Sequence, residues 1–75
     1  MTTKKIDIVI QIVSKNCKIN KNNFNINSHA TEFDKWDSLA QVQILSDLEK
    51  KFKKKFNLTQ MSKMNSIKSI LEHIK

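Results

Sequence analysis

The stretch Asp37–Phe52, DSLAQVQILSDLEKKF, decides how this chain folds. Leu39, Val42, Leu45, Leu48 and Phe52 fall three or four apart, the spacing that gathers side chains onto one face of an α-helix, with Ile44 and Phe56 beside the stripe. Asp37 and Ser38 both carry a short side-chain oxygen able to accept an orphan amide at a helix start, so a helix is predicted from Ser38 to Phe56. Asp47 and Glu49 precede Lys50, Lys51, Lys53, Lys54 and Lys55, an order of sign that complements the helix dipole. The hydroxyl of Ser38 reads in two ways, as a cap or as an attachment point.

Upstream lies a polar stretch, CKINKNNFNINSHATEFDKW (17–36), with asparagine at five positions. It reads as a long loop, and a loop of that length is held by its own side chains, for which Phe24, Ile26 and Phe33 are the natural pins. NFNIN alternates like a short strand but has no evident partner, so it is read as irregular. Before it, Ile6, Ile8, Ile10 and Ile12 alternate as in a strand, while Ile6, Val9, Ile10 and Val13 make a helical stripe. Length favours a helix from Thr3 to about Asn16, with Thr2 or Thr3 as its cap, Asp7 near its start, and Lys15 and Lys18 near its end.

Downstream, two shorter helices are expected, Gln60 to Met64 and Ser66 to Ile74, broken at Asn65 and capped by Thr59 and Ser66. Met61 and Met64 pair at i, i+3 as adaptable core, and Ile67, Ile70, Leu71 and Ile74 form the last stripe. The fold class is therefore all-α: a small bundle of three main helices plus one short helix, with a long loop between the first and second, in one domain over residues 1–75.

Composition narrows the function. A chain of 75 residues has no room for a buried multi-residue active site, and no catalytic residues are expected. Cys17 stands alone, which excludes an internal disulfide, and with His29 and His73 the only histidines no metal site is expected. His29 reads as a surface loop residue and His73 as a partner of the last helix's C-terminal dipole. No run reaches the roughly 18 apolar residues of a membrane span, and no signal-peptide pattern opens the chain, so a cytoplasmic location is expected. The net charge of +7 raises nucleic acid as a partner, but every basic residue is lysine and no recognition-helix motif occurs. A small basic helical module that binds nucleic acid, or an unmodified interaction module, is the alternative from a different class.

The serine that opens a helix of this spacing, after a long polar loop and before two shorter helices, resembles the acyl carrier protein family, with its peptidyl and aminoacyl relatives, over nearly the whole chain. The resemblance implies that Ser38 carries 4'-phosphopantetheine, attached by a phosphopantetheinyl transferase, and that the arm's thiol holds acyl or aminoacyl groups as thioesters. Asp37 caps the helix and presents the serine, and Leu39 offers an apolar contact. Val42, Gln43, Asp47, Glu49 and Lys50 are the partner-binding candidates, facing an acyl- or aminoacyl-loading enzyme and a downstream acyltransferase or synthase. A stand-alone, monomeric, non-catalytic carrier for fatty-acid, polyketide or specialised biosynthesis follows, with an aminoacyl or peptidyl carrier of a nonribosomal-type pathway as the alternative. Two departures stand out: Ala40, Gln41 and Gln43 occupy positions where acidic residues are common, and Trp36 stands where glycine is frequent.

Overall fold

A computed structural model describes residues 4–74. Four α-helices follow one another: α1 Lys5–Cys17, α2 Ser38–Phe52, α3 Leu58–Lys63 and α4 Ile67–His73. Of the two templates for the N-terminal isoleucines, the helix is realised, because it brings Val9, Val13 and Cys17 onto one face that the core buries completely. Lys4 occupies the N-cap position of α1 and makes no side-chain capping bond; Thr2 and Thr3 lie outside the described residues. α1 packs on both α2 and α4.

The 17–36 segment is irregular, as expected, but contains two single-turn 3₁₀ helices, Lys21–Asn23 and Ala30–Glu32. Its pins differ from the predicted set. Phe24 is buried and stacks at 4.7 Å on Phe33, and its other neighbour is Trp36, at 6.3 Å and 67°. Ile26 is exposed, since it sits in a tight turn closed by Ser28 N donating to the Asn25 carbonyl at 3.0 Å. The far end of the loop is laced to the junction of α3 and α4: Ala30 N donates to the Asn65 carbonyl at 2.7 Å, and Ile67 N to the Ser28 carbonyl at 3.0 Å.

Two corrections concern α2. Its buried residues are Ala40, Ile44, Leu45 and Leu48, while Leu39 and Val42 are 70% and 65% exposed. A helix turns about 100° per residue, so each step of three falls about 60° short of a full turn. Three such steps carry Leu48 to the side opposite Leu39. The second correction is the end of α2, which comes at Phe52 and not Phe56. Lys53 takes the left-handed conformation (φ 54°), Lys54 N bonds back to the Glu49 carbonyl, and Phe56 N donates to the Glu49 carboxylate at 2.9 Å. Phe56 is therefore buried by a chain that doubles back.

α3 starts two residues earlier than predicted because Asn57, not Thr59, is its cap: Asn57 accepts from Gln60 N at 2.8 Å while Gln60 accepts from Asn57 N at 3.0 Å. Ser66 caps α4 as expected, with Ser69 closing the reciprocal pair. Met64, Ile67, Ile70 and Ile74 enter the core, and Met61 is half-buried at its edge. His73 donates from Nδ1 to the Ser69 carbonyl at 2.8 Å in the last turn of α4, and His29 caps the second 3₁₀ turn.

Candidate cofactor-attachment site

Trp36, Asp37 and Ser38 are consecutive, yet they meet three different environments. Trp36 is only 4% exposed, wedged against Phe24, and its indole N–H donates to Gln41 Oε1 at 2.6 Å. Gln41 in turn donates from Nε2 to the Met64 carbonyl at 2.6 Å, so one amide ties the start of α2 to the end of α3. Asp37 is the N-cap: its Oδ1 accepts from Ala40 N at 2.9 Å, and its carbonyl accepts from Gln41 N. The cap is thus made by Asp37 alone. Ser38 occupies the first helical position, exposed, and its hydroxyl has no hydrogen-bond partner among the described residues.

Between α2, α3 and the second 3₁₀ turn lies an open cleft of about 390 Å³, bordered by Ser38, Asp37, Thr31, Met61, Ser62 and Asn65. The buried Trp36–Gln41 pair forms part of its wall. On the opposite flank Cys17 is buried beside Lys18, Lys35 and Asp37. Burial, and then the Asp37 charge, push its thiol pKa above the ordinary value. A thiol held protonated in this way is a poor nucleophile.

The partner-binding candidates fall on one exposed strip and its two flanks. Leu39, Val42, Gln43 and Lys50 are open to solvent. Asp47 and Glu49 are half-buried and already accept protein hydrogen bonds, Asp47 from Asn16 Nδ2 at 3.0 Å and Glu49 from Phe56 N. Three residues that shape this region were not among the sequence-predicted site residues: Trp36, Gln41 and Met61. Their signal in the sequence was faint, a lone tryptophan five residues before a glutamine on the inward side of a helix.

The geometry suits an exposed hydroxyl that bears a phosphodiester. The first turn of a helix presents amides and a partial positive charge that favour an anion there. Asp37 opposes it with one negative charge, but that carboxylate is engaged by the Ala40 amide and Lys35 lies on the same flank. No group of three or more His, Cys, Asp or Glu side chains placed to hold a metal ion occurs among the described residues. The family described as phosphopantetheine attachment site matches residues 7–74. No curated protein matches the chain.

Proposed function

The chain belongs to the phosphopantetheine attachment-site family, in agreement with the acyl-carrier resemblance of its sequence, and from that premise we propose that Ser38 is the residue that bears the arm. The family's cofactor is covalently attached 4'-phosphopantetheine, whose thiol carries an acyl group as a thioester. What supports Ser38 is its hydroxyl: exposed, unpartnered among the described residues, and at the first position of α2. The other serines fit less well. Ser14, Ser28, Ser62, Ser66 and Ser69 are engaged in local hydrogen bonds, and Ser46 lies mid-helix, away from any helix terminus. The role of this chain's residues is to hold and present. Asp37 caps the first turn so that the serine stands clear, and the Trp36–Gln41–Met64 tie fixes the direction in which it points.

In this reading residues 1–75 form one non-catalytic carrier domain of the cytoplasm, acting as a monomer, without nucleic acid. It is loaded by a phosphopantetheinyl transferase and then by an acyl- or aminoacyl-loading enzyme, and serves a downstream acyltransferase or synthase in fatty-acid, polyketide or specialised biosynthesis. Among the described residues no helix is long and apolar enough to cross a membrane. Partners approach over Leu39, Val42, Gln43 and Lys50, with Asp47 and Glu49 at the flanks. Of the three uncharged positions Ala40, Gln41 and Gln43 only Gln43 is exposed, and its lack of charge favours a dedicated loading enzyme over general ones.

Mass spectrometry decides the matter. Incubation with coenzyme A and a broad-specificity transferase is expected to add one phosphopantetheine, located by peptide mapping on Ser38, and Ser38→Ala should abolish the gain. No gain with several active transferases, or a gain on another serine, would sink the assignment.

A further inference from the structure

The isoleucine-rich pattern of α1 contains one residue that the core does not use. Ile6, Val9, Ile10, Ile12 and Val13 all belong to the core or pack against it, whereas Ile8 is half-buried without joining it. Ile8 instead lies with Ile12 along a groove of about 480 Å³ between α1 and α2, whose rim carries Lys15 from α1 and Asp47, Lys50 and Lys51 from α2. Three lysines against one carboxylate leave the rim at +2, and Asn16 Nδ2 already donates to Asp47. An aliphatic floor under a positive rim is complementary to one kind of surface.

We propose that this groove docks an acidic amphipathic segment of a partner protein, its aliphatic side chains on Ile8 and Ile12 and its carboxylates on Lys15, Lys50 and Lys51. Complementary charge of this kind sets association rate and partner choice, while the apolar floor adds affinity. A phosphodiester backbone would use the lysines but leave the isoleucine floor uncovered, and the chain has no arginine with which to clamp phosphates. A membrane surface would need the apolar residues to stand proud of the lysines, whereas Ile8 and Ile12 are half-buried between them. The groove shares Lys50 and Asp47 with the strip over which partners are proposed to approach, but it includes neither Ser38 nor its neighbours, so it stands whether or not that serine is modified.

The probe is a fluorescein-labelled helical peptide with leucine at every third or fourth position and glutamate elsewhere, titrated into the full chain at low salt. Amide resonances of residues 8–15 and 47–51 are expected to shift, and Lys15→Glu and Ile8→Ser should each weaken binding on the order of tenfold while the amide spectrum remains that of the folded chain. Lys15 is fully outside the core, so its variant remains informative if Ile8→Ser unfolds. Absence of binding, shifts centred on Leu39 and Val42, or undiminished affinity in Lys15→Glu would overturn the proposal. So would single-stranded DNA or anionic phosphatidylglycerol vesicles perturbing the same amides at equal or higher affinity.

Discussion

Gln41 stands on the inward side of α2, where a polar side chain is unfavourable unless both ends of its amide are occupied. Here both are: the carbonyl by Trp36 Nε1 and the amino group by the Met64 carbonyl. Gln41→Leu would leave an indole N–H and a backbone carbonyl unpaired, and the expected loss is about 1–3 kcal/mol in denaturant unfolding. A loss below about 0.5 kcal/mol would mean that water replaces both bonds. Cys17 gives a second residue-scale test. Its folded pKa lies above its ordinary value of 9.0, so the unfolded thiol ionises first as pH rises. The associated stability is present below that ordinary value and is lost as pH climbs toward the folded one. Cys17→Ala should flatten the alkaline decline of wild-type stability, and identical slopes would refute the shift. Of these residues, Asp37 was legible in the sequence because capping reaches only three residues. Gln41 was not, because its second bond joins residues 23 apart in the chain.

At the scale of elements, the number and order of helices followed from periodicity, but their ends and the buried face of α2 did not. The chain has no glycine, so the usual mark of a helix terminus is missing, and two lysines take the left-handed conformation instead: Lys18 after α1 and Lys53 after α2. A side chain there costs about 1 kcal/mol or more. Lys53→Gly is accordingly expected to stabilise the fold by up to about 1 kcal/mol even though it adds no contact, measured as a higher denaturant midpoint at constant slope. The stripe from Leu39 to Leu48 is not one face, because a chain of three-residue steps satisfies a helical pattern locally while drifting around the axis, and it leaves Leu39 and Val42 exposed. At Leu45 and Leu48 the drift has reached the core. Leu48→Ala should therefore cost about 2–5 kcal/mol, approaching the whole stability of so small a domain. Leu39→Ala should cost less than about 0.5 kcal/mol, and the contrast between the two tests the rotation directly. The same drift leaves two large aliphatic side chains next to Ser38, which is what a partner-facing surface needs and a core stripe would not supply.

Over the whole molecule the net charge of +7 is unevenly placed. From Asp37 to Glu49 the chain holds three acidic residues and no lysine, whereas Lys50, Lys51, Lys53, Lys54 and Lys55 crowd the end of α2 and the turn beyond it. Neighbouring like charges repel across the short distances of one helical turn, and Glu49, whose carboxylate also accepts the Phe56 amide, offsets part of that repulsion. Folding brings Lys15 into the same region across the α1–α2 groove, which adds to the repulsion in the native state. Salt screens such interactions over about 10 Å at 0.1 M, so adding sodium chloride from about 10 to about 200 mM should raise the melting temperature by a few degrees. Chloride is the right anion for the test, because sulfate would strengthen apolar burial by exclusion and confuse the two effects. Lys51→Glu should raise the melting temperature at low salt and lose that advantage at high salt. The lysines that repel one another in the free protein are also those that an acidic partner would neutralise, so association should weaken with salt over the range in which the free protein gains stability. A melting temperature that falls as chloride is added would show that attractive pairs outweigh the lysine repulsion. It would also remove the electrostatic ground for expecting an acidic partner at this end of the bundle.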